Sequence, residues 1–323
     1  MKRFNVTRTA SKVSVAGILA SALVLVAAAL TGTDARATAP GPNGLIVYQA
    51  TVGNHIQLFT VKPDGSDAHQ LTRFADSDAV HASWSADGKS ITFERDFANH
   101  AGVYTMDADG GHRQSLTPKG LQGMPAYSPN GATIVFDRSL PAEDALWIMR
   151  SNGSGLRQVT HNKRAGKNTC RCDGSPAFSP DGRRIVFVRT ITEQKTAAFV
   201  VNVDGSGVKQ ITPWRMGVSA KLDWSPDGSK IVISSPQAER PGVASNVYTL
   251  SPDGTGLTQL THETQPGVHD IADGFSPDGT KIIFARTVDN GPFQVYVMNA
   301  DGTGIAQLTQ GIDAHWASWG SHP

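Results

Sequence analysis

Two series of turns that combine Asn or Asp with Gly alternate along the chain and restrict its fold more than any other feature. In the first series, the final Gly recurs at spacings of 44, 43, 51, 46 and 51 residues. Its members are 41–44 (GPNG), 85–88 (SADG), 128–131 (SPNG), and 179–182, 225–228 and 276–279 (all SPDG). The second series falls between them, at 64–65, 109–110, 152–153, 204–205, 253–254 and 301–302. Because these residues tolerate the positive φ of tight hairpins, both series predict connections between antiparallel strands.

Short runs of β-branched and aromatic residues separate these turns, as at 185–188 (IVFV), 281–284 (KIIF) and 294–298 (QVYVM). Each turn of the second series is followed by a run that ends in Thr after Leu, Ile or Val. No long amphipathic helical periodicity follows residue 37. Each repeat therefore predicts four strands. Residues 38–323 provide about 48 residues for each of six such repeats, which is typical of β-propeller blades.

An aromatic residue ends the predicted first strand of every repeat, at Trp84, Tyr127, Phe178, Trp224, Phe275 and Trp319. The last of these has no second strand after it, whereas the first repeat begins at its turn and lacks a first strand. We therefore predict an all-β, six-bladed β-propeller of four-stranded blades. Residues 314–319 are expected to pair with the strand that starts near Leu45, which closes the ring and limits exposed sheet edges.

The first 37 residues have the layout of a secretory signal peptide. Four basic residues and no acid precede an apolar run at 13–30, and Ala35-Arg36-Ala37 supplies the small-x-small pattern of a cleavage site. An uncleaved membrane anchor is the alternative, because the run approaches the length that spans a bilayer. We expect cleavage, a bacterial protein that is secreted or periplasmic, and a mature propeller at 38–323 without membrane insertion.

Charge and cysteine content exclude several classes of function. The chain has 29 basic and 28 acidic residues, and residues 38–323 alone have a net charge of −3, so we expect no nucleic-acid partner. Two cysteines are too few for a multi-cysteine zinc or iron–sulfur site. Cys170 and Cys172 lie in the longest loop, where export favours a disulfide and a redox or metal role is the alternative. No Gly-x-Ser-x-Gly elbow supports nucleophilic catalysis.

The best-formed repeat, 275–309, contains the segments FSPDG, IIFAR, VYVMNADGTG and QLT. Together with its partial copies, it resembles the WD-like repeats of the TolB-type β-propeller family over essentially all of residues 40–323. The resemblance implies a propeller fold. TolB itself carries an α/β domain before its propeller, and that domain contributes to its role in the envelope machinery of Gram-negative bacteria. This sequence resembles the propeller alone. Related propellers of polysaccharide lyases use channel histidines with a metal.

In propellers, the loops after the second and fourth strands share a face, and that face and the channel mouth usually hold the ligand site. We assign to it His81, Lys221, His269, Asp270, Asp273, Asp313, His315 and, in an inter-blade loop, Trp214. His81, His269 and His315 could bind a transition metal, and solvated histidines are the alternative. The turn acids are assigned to turn chemistry rather than to calcium, because the remaining EF-hand ligands are missing.

We therefore expect an exported, monomeric binding or scaffold propeller that recognises a protein or glycan of the cell envelope or medium. Catalysis and a cofactor are not expected. A metal-assisted polysaccharide lyase or hydrolase, with one divalent metal in the channel, is the alternative from a different functional class.

Overall fold

The computed structural model describes residues 21–22, 41–118, 120–140, 143–161, 172–192, 195–219, 221–235, 243–289 and 291–322. Regular structure in these ranges is β-strand apart from a 3₁₀ helix at Trp214–Met216. A helix with the length and apolar character needed to cross a membrane does not occur in these ranges. The predicted all-β architecture is confirmed.

The strands follow the predicted repeats, which we number 1 to 6 in chain order. Outside the repeats lies β1 (Ser21–Ala22). Repeats 1 to 3 contain β2 (Asn43–Val52), β3 (His55–Val61), β4 (His69–Gln70), β5 (Asp78–Trp84), β6 (Ser90–Asp96), β7 (Ala101–Asp107), β8 (Gln114–Ser115), β9 (Leu121–Tyr127), β10 (Thr133–Leu140), β11 (Glu143–Arg150) and β12 (Arg157–Gln158). Repeats 4 to 6 contain β13 (Cys172–Phe178), β14 (Arg184–Thr192), β15 (Lys195–Asn202), β16 (Lys209–Gln210), β17 (Asp223–Trp224), β18 (Ile231–Ser235), β19 (Asn246–Leu250), β20 (Thr258–Gln259), β21 (Val268–Phe275), β22 (Lys281–Val288), β23 (Gln294–Asn299) and β24 (Ala306–Gln307). The chain ends with β25 (Ala314–Ser321).

Repeats 2, 5 and 6 each form a separate four-stranded sheet, and repeat 1 forms another together with β25. Repeats 3 and 4 join in a larger sheet through one parallel pair, Asp144 with Cys172. In repeat 3, β9 packs alongside β10, and the Ser128 N–H donates to Thr133 O at 2.8 Å. The described residues therefore form an all-β propeller in which four repeats have their own sheet and two share one.

The chain ends meet as the repeat pattern predicted. β25 pairs antiparallel with β2, with Trp319 opposite Ile46. The Trp319 indole N–H donates to Gly44 O at 3.1 Å. A Cβ on Gly44 would lie 2.5 Å from the Ser321 carbonyl oxygen, so only glycine permits this close approach of the two strands.

Part of the predicted signal peptide has a described position. Ser21 and Ala22 of β1 pair antiparallel with Arg138 and Asp137 of β10. The rest of residues 1–37 lies outside the described residues, and so does Cys170.

Side chains of the first-series turns bind their own backbone. In the turn at 276–279, the Ser276 hydroxyl donates to Asp278 Oδ1 at 2.6 Å, which also accepts the Thr280 N–H at 2.9 Å. The Lys281 N–H in turn donates to Ser276 Oγ. The same bonds recur in the turns that begin at 85, 128, 179 and 225. The turn acids are thus engaged in turn formation.

The threonine that ends each repeat, after Leu, Ile or Val, has a structural role. Thr309 Oγ1 accepts the Val295 N–H of the third strand at 2.9 Å, and Gln307 Nε2 donates to Thr309 O. The equivalent threonines that accept a third-strand N–H in the same way are Thr72, Thr117, Thr160, Thr212 and Thr261. These bonds hold the two-residue outer strand of each repeat in place.

The hydrophobic core lies between neighbouring sheets. Trp224 packs against Val186 and Val188 of the preceding repeat, and Phe275 packs against Val232. The aromatics at this repeated position are buried, apart from the half-buried Tyr127. These aromatics therefore belong to the core between neighbouring sheets.

Candidate functional site

The innermost strands of all six repeats line one central channel. One lining residue from each repeat is His81, Met124, Ser175, Lys221, Asp273 and Trp316. These residues are far apart in sequence, and the fold brings them together around one cavity. The channel is the place where polar, aromatic and charged side chains converge, and it is the candidate site.

A bulge in the innermost strand aims these side chains inward. His81, Met124, Ser175 and Trp316 have positive φ angles of 54°, 48°, 54° and 53°. Each lies three residues before the aromatic that ends its strand, and the strand register shifts there in repeats 1, 2 and 4. Positive φ is uncommon for residues other than glycine. Bulges of this kind redirect side chains next to functional sites.

Side chains from the neighbouring repeat stabilise these inner strands. The His81 N–H donates to Gln49 Oε1 at 2.9 Å, and the Met124 N–H donates to Glu94 Oε2 at 3.2 Å. In repeat 6, the Ala272 N–H donates to Ser234 Oγ at 2.5 Å. Gln49, Glu94 and Ser234 come from equivalent positions on second strands. In each case, a second-strand side chain of one repeat thus binds the inner strand of the next repeat.

Gln49 connects His81 with His315. Because Gln49 Oε1 accepts the His81 N–H, its Nε2 donates, and His315 Nε2 at 3.0 Å accepts. Burial lowers the pKa of His315 to about 3, and the nearby His81 and Lys221 add to this effect. His315 is therefore neutral at neutral pH. His81 Nδ1 lies 2.7 Å from Glu94 Oε2, in a partly buried pair.

Lys221 and Asp273 form the charged centre of the channel. Lys221 Nζ lies 3.4 Å from Asp273 Oδ1 and also donates to the carbonyl oxygen of Ala317. The Trp316 ring centroid is 5.9 Å from the same nitrogen. Burial raises the pKa of Asp273 to about 6, although Lys221 and the Ala317 N–H partly offset it.

Asp270 and His269 lie outside the channel lining. Asp270 accepts two hydrogen bonds from the Arg286 guanidinium, at 2.6 and 2.8 Å, and Arg286 also pairs with Glu263. The same two-bond pair joins Arg189 to Asp173 in repeat 4. Such pairs are strong because both oxygens match the planar guanidinium. Asp270 is thus engaged in an internal ion pair, and burial lowers the pKa of its neighbour His269.

Asp313 stands beside His315, with 4.0 Å between Asp313 Oδ1 and His315 Nδ1. The same oxygen accepts the Phe293 N–H at 2.7 Å. Burial raises the pKa of Asp313, and this hydrogen bond opposes the shift. Asp313 therefore lies beside His315 and binds the backbone just before β23.

The three histidines suggested as metal ligands do not converge. His81 and His315 share the Gln49 network, whereas His269 pairs with Thr287 and Ser245 in the backbone. Among the residues that the structure describes, no group of three or more His, Cys, Asp or Glu side chains could hold a metal ion. The donor set that the metal alternative requires is thus not assembled from these histidines.

Two further candidates lie away from the channel lining. Trp214 is half-buried, and its ring centroid is 5.6 Å from that of Phe199, so it packs on repeat 4 rather than standing free. Cys172 is buried and disulfide-bonded.

Sequence reasoning missed several residues of the channel. Met124, Ser175 and Trp316 line it, and Gln49 and Glu94 bind its inner strands. A signal was present in four repeats, because the residue three positions before the strand-one aromatic has the positive φ angle there, at His81, Met124, Ser175 and Trp316. The cross-repeat partners have no such signal, since their role depends on how neighbouring sheets pack.

Residues 157–321 match the family of the TolB β-propeller domain. The Tol-Pal system protein TolB of Francisella tularensis subsp. mediasiatica is 26% identical over 248 residues, which is 75% of this chain and 53% of that protein. The uncharacterized protein Atu1656 of Agrobacterium fabrum is 29% identical over 157 residues, which is 46% of this chain and 51% of that protein. The chain thus spans about half the length of these curated relatives.

Solved structures agree on the fold. The crystal structure of TolB from Acinetobacter baumannii has a TM-score of 0.69 and 21% identity, and the match covers 86% of this chain and 67% of that one. At this identity the likeness concerns the fold. The family match covers just over half of the chain and lies within the repeats. The chain belongs to the TolB β-propeller domain family.

Proposed function

We propose that residues 38–323 form an exported, closed, six-bladed propeller that binds a partner without catalysing a reaction. In this proposal the protein is a monomer of the periplasm or the medium. Its partner is a protein or glycan, bound on the face that carries the loops after the second and fourth strands. Relatives named as Tol-Pal system proteins favour a protein over a glycan.

One observation carries the binding role: the polar side chains of the channel are engaged with one another. His81 pairs with Glu94, and Lys221 pairs with Asp273. The Ser175 hydroxyl donates to Met124 Sδ at 3.0 Å rather than to a base. A nucleophile needs a base within hydrogen-bonding distance. The arrangement supports recognition by a rigid surface better than it supports acid–base or nucleophilic chemistry.

Exposed apolar side chains on the same face support contact with a partner. Val52 and Val288 end the second strands of repeats 1 and 6, which are neighbours in the ring, and they are 43% and 51% exposed. Leu121, at the start of β9, is 52% exposed. Similarly exposed apolar side chains lie near the second-series turns on the opposite face, at Leu156, Val208, Leu257 and Ile305. Val52, Val288 and Leu121 therefore provide positions at which the proposed face can be tested.

The test compares two double variants of the 38–323 protein. Val52→Asp with Val288→Asp alters the proposed face, and Val208→Asp with Leu257→Asp alters equally exposed residues in second-series turns on the opposite face. Immobilised wild type is offered cell-envelope proteins and a glycan array, and bound species are identified and titrated. We expect the first variant to bind at least about tenfold more weakly, equivalent to about 1.4 kcal/mol, and the second to bind normally.

Equal weakening by both variants would contradict the proposed face. Turnover of a polyuronate by the wild type would replace the binding role with the lyase alternative. Export is tested on the same material, because mass spectrometry of the exported protein should give a chain that begins at Thr38.

A further inference from the structure

The ammonium group of Lys221 contacts groups from two other repeats. It extends from repeat 5 to Asp273 of β21 in repeat 6 and to Ala317 of β25, which belongs to the sheet of repeat 1. The Lys221 side chain is 18% exposed and the Asp273 side chain 1%. The lysine thus joins three consecutive repeats at the place where the chain ends pair.

We propose that the Asp273 carboxylate, the Ala317 carbonyl and the Trp316 ring form a binding site for a primary ammonium group, which Lys221 fills in the wild-type chain. An ammonium has three donors and no acceptor, and it binds carboxylates, carbonyls and aromatic faces. The three groups offer one of each kind around one nitrogen. This inference does not depend on the partner proposed above.

The Asp273 carboxylate of this site can accept a further hydrogen bond. Asp273 Oδ2 is buried and has no hydrogen-bond partner among the described residues. The residue also lines the channel, together with Lys221 and Trp316. A free ammonium, unlike the tethered lysine, can orient its donors toward both carboxylate oxygens.

The same groups fit a metal ion poorly. Calcium takes six to eight oxygen ligands, and this site offers one carboxylate and one carbonyl. No set of three or more His, Cys, Asp or Glu side chains in the described part of the chain is arranged for a metal. The aromatic ring favours an organic cation, because a cation over its face is attracted without a further oxygen ligand.

The experiment removes the lysine ammonium from the site and supplies a free ammonium in its place. Lys221→Ala in the 38–323 protein removes the internal ammonium, and methylammonium chloride is then titrated at pH 8 and constant ionic strength. We expect the variant to unfold at a lower temperature than the wild type. Methylammonium should raise its Tm with the logarithm of concentration above the Kd, and calorimetry should show one site per chain. The wild type should not respond.

Three comparisons make the test specific. Tetramethylammonium has no N–H donors and should fail to rescue Lys221→Ala. The double variant Lys221→Ala with Asp273→Asn should lose the response. Lys281→Ala removes another lysine, whose Nζ donates to Asn299 Oδ1, and should show no response.

A methylammonium-insensitive Lys221→Ala protein would overturn the proposal, and so would equal rescue by tetramethylammonium. Calcium binding in place of methylammonium would overturn it too. If Lys221→Ala does not fold, Lys221→Met keeps the packing of the methylene chain and is tested in the same way. Failure of both variants to fold when refolded with methylammonium would count against the site, because the ligand should replace the missing group.

Discussion

His315 and Asp273 are both buried, and burial shifts their pKa values in opposite directions. The pKa of His315 falls to about 3 and that of Asp273 rises to about 6. In both cases removal from water disfavours the charged form. The two groups therefore make opposite contributions to the pH dependence of stability.

The sign for each follows from comparison with the unfolded chain. Unfolded His315 takes up a proton near pH 6.5 and folded His315 does so near pH 3, so its contribution to stability is present above pH 6.5 and is lost as pH falls. Unfolded Asp273 titrates near 3.8 and folded Asp273 near 6, so its contribution is present below 3.8 and is lost as pH rises through 6.

We predict that His315→Asn loses less stability than the wild type on acidification. Asparagine can still accept from Gln49 but takes up no proton. Between pH 6 and pH 4, the difference between variant and wild type should change by about 1.4 kcal/mol per pH unit. Urea unfolding at several pH values measures it. Asp273→Asn is the matched comparison, and its stability should fall more steeply on acidification than that of the wild type. Parallel plots of unfolding free energy against pH for all three proteins would contradict the prediction.

At the scale of the strand, the outer edge of each repeat depends on one threonine. Thr212 Oγ1 accepts the Ala198 N–H at 2.8 Å, and both residues are buried. A two-residue strand such as β16 makes few ladder bonds of its own. The side-chain bond therefore supplies what the short ladder lacks.

We predict that Thr212→Val lowers the free energy of unfolding by about 1–3 kcal/mol, because it leaves the buried Ala198 N–H without an acceptor. Thr212→Ser keeps the hydroxyl, loses one methyl group and should cost about 0.8 kcal/mol. Urea unfolding of both variants measures the difference. A valine variant as stable as the serine variant would show that the bond is unimportant.

At the scale of the whole molecule, the pairing of β25 with β2 joins the two ends of the chain. Trp319 packs with Ile46 and Tyr48, and its indole N–H donates to Gly44 O. The contact spans 275 positions of sequence. It forms only when all the intervening repeats are in place.

We predict that Trp319→Ala lowers the free energy of unfolding by about 3–5 kcal/mol, as expected for loss of a buried aromatic. Trp319→Phe keeps most of the packing, loses the hydrogen bond and should cost about 1 kcal/mol from that bond. Trp214→Ala, at a half-buried tryptophan away from the closure, is the control and should cost less than Trp319→Ala. Denaturant unfolding ranks the three variants by their free energy of unfolding. A larger loss for Trp214→Ala than for Trp319→Ala would contradict the role of Trp319 in joining β25 to β2.

Much of the fold was predictable because its signals are local. The first-series turns bind their own backbone, as Asp278 shows, so the turn positions follow from the residue types alone. The repeated aromatics, such as Trp224, mark the strand that packs between sheets. The sharing of one sheet by repeats 3 and 4 was not predictable, since it depends on a single cross-repeat pair at Asp144 and Cys172.

The channel was predictable in part. Lys221 and His81 were chosen because they fall near the loops between the fourth strand and the next first strand, and both line it. Asp270 was chosen for the same reason, but Arg286 on the next strand binds it. Whether an inner-strand acid faces an arginine or the channel depends on its neighbours across the sheet.

Residue types and their spacing were enough to specify the all-β class, the turns, the core aromatics and the meeting of the chain ends. These properties depend on contacts within one repeat or on a pattern repeated six times. Tertiary structure alone decided which side chains line the channel, which of them form ion pairs or hydrogen bonds, and which groups the Lys221 ammonium contacts. The repeat marks the bulge positions in four repeats, but these outcomes depend on single contacts between repeats far apart in sequence.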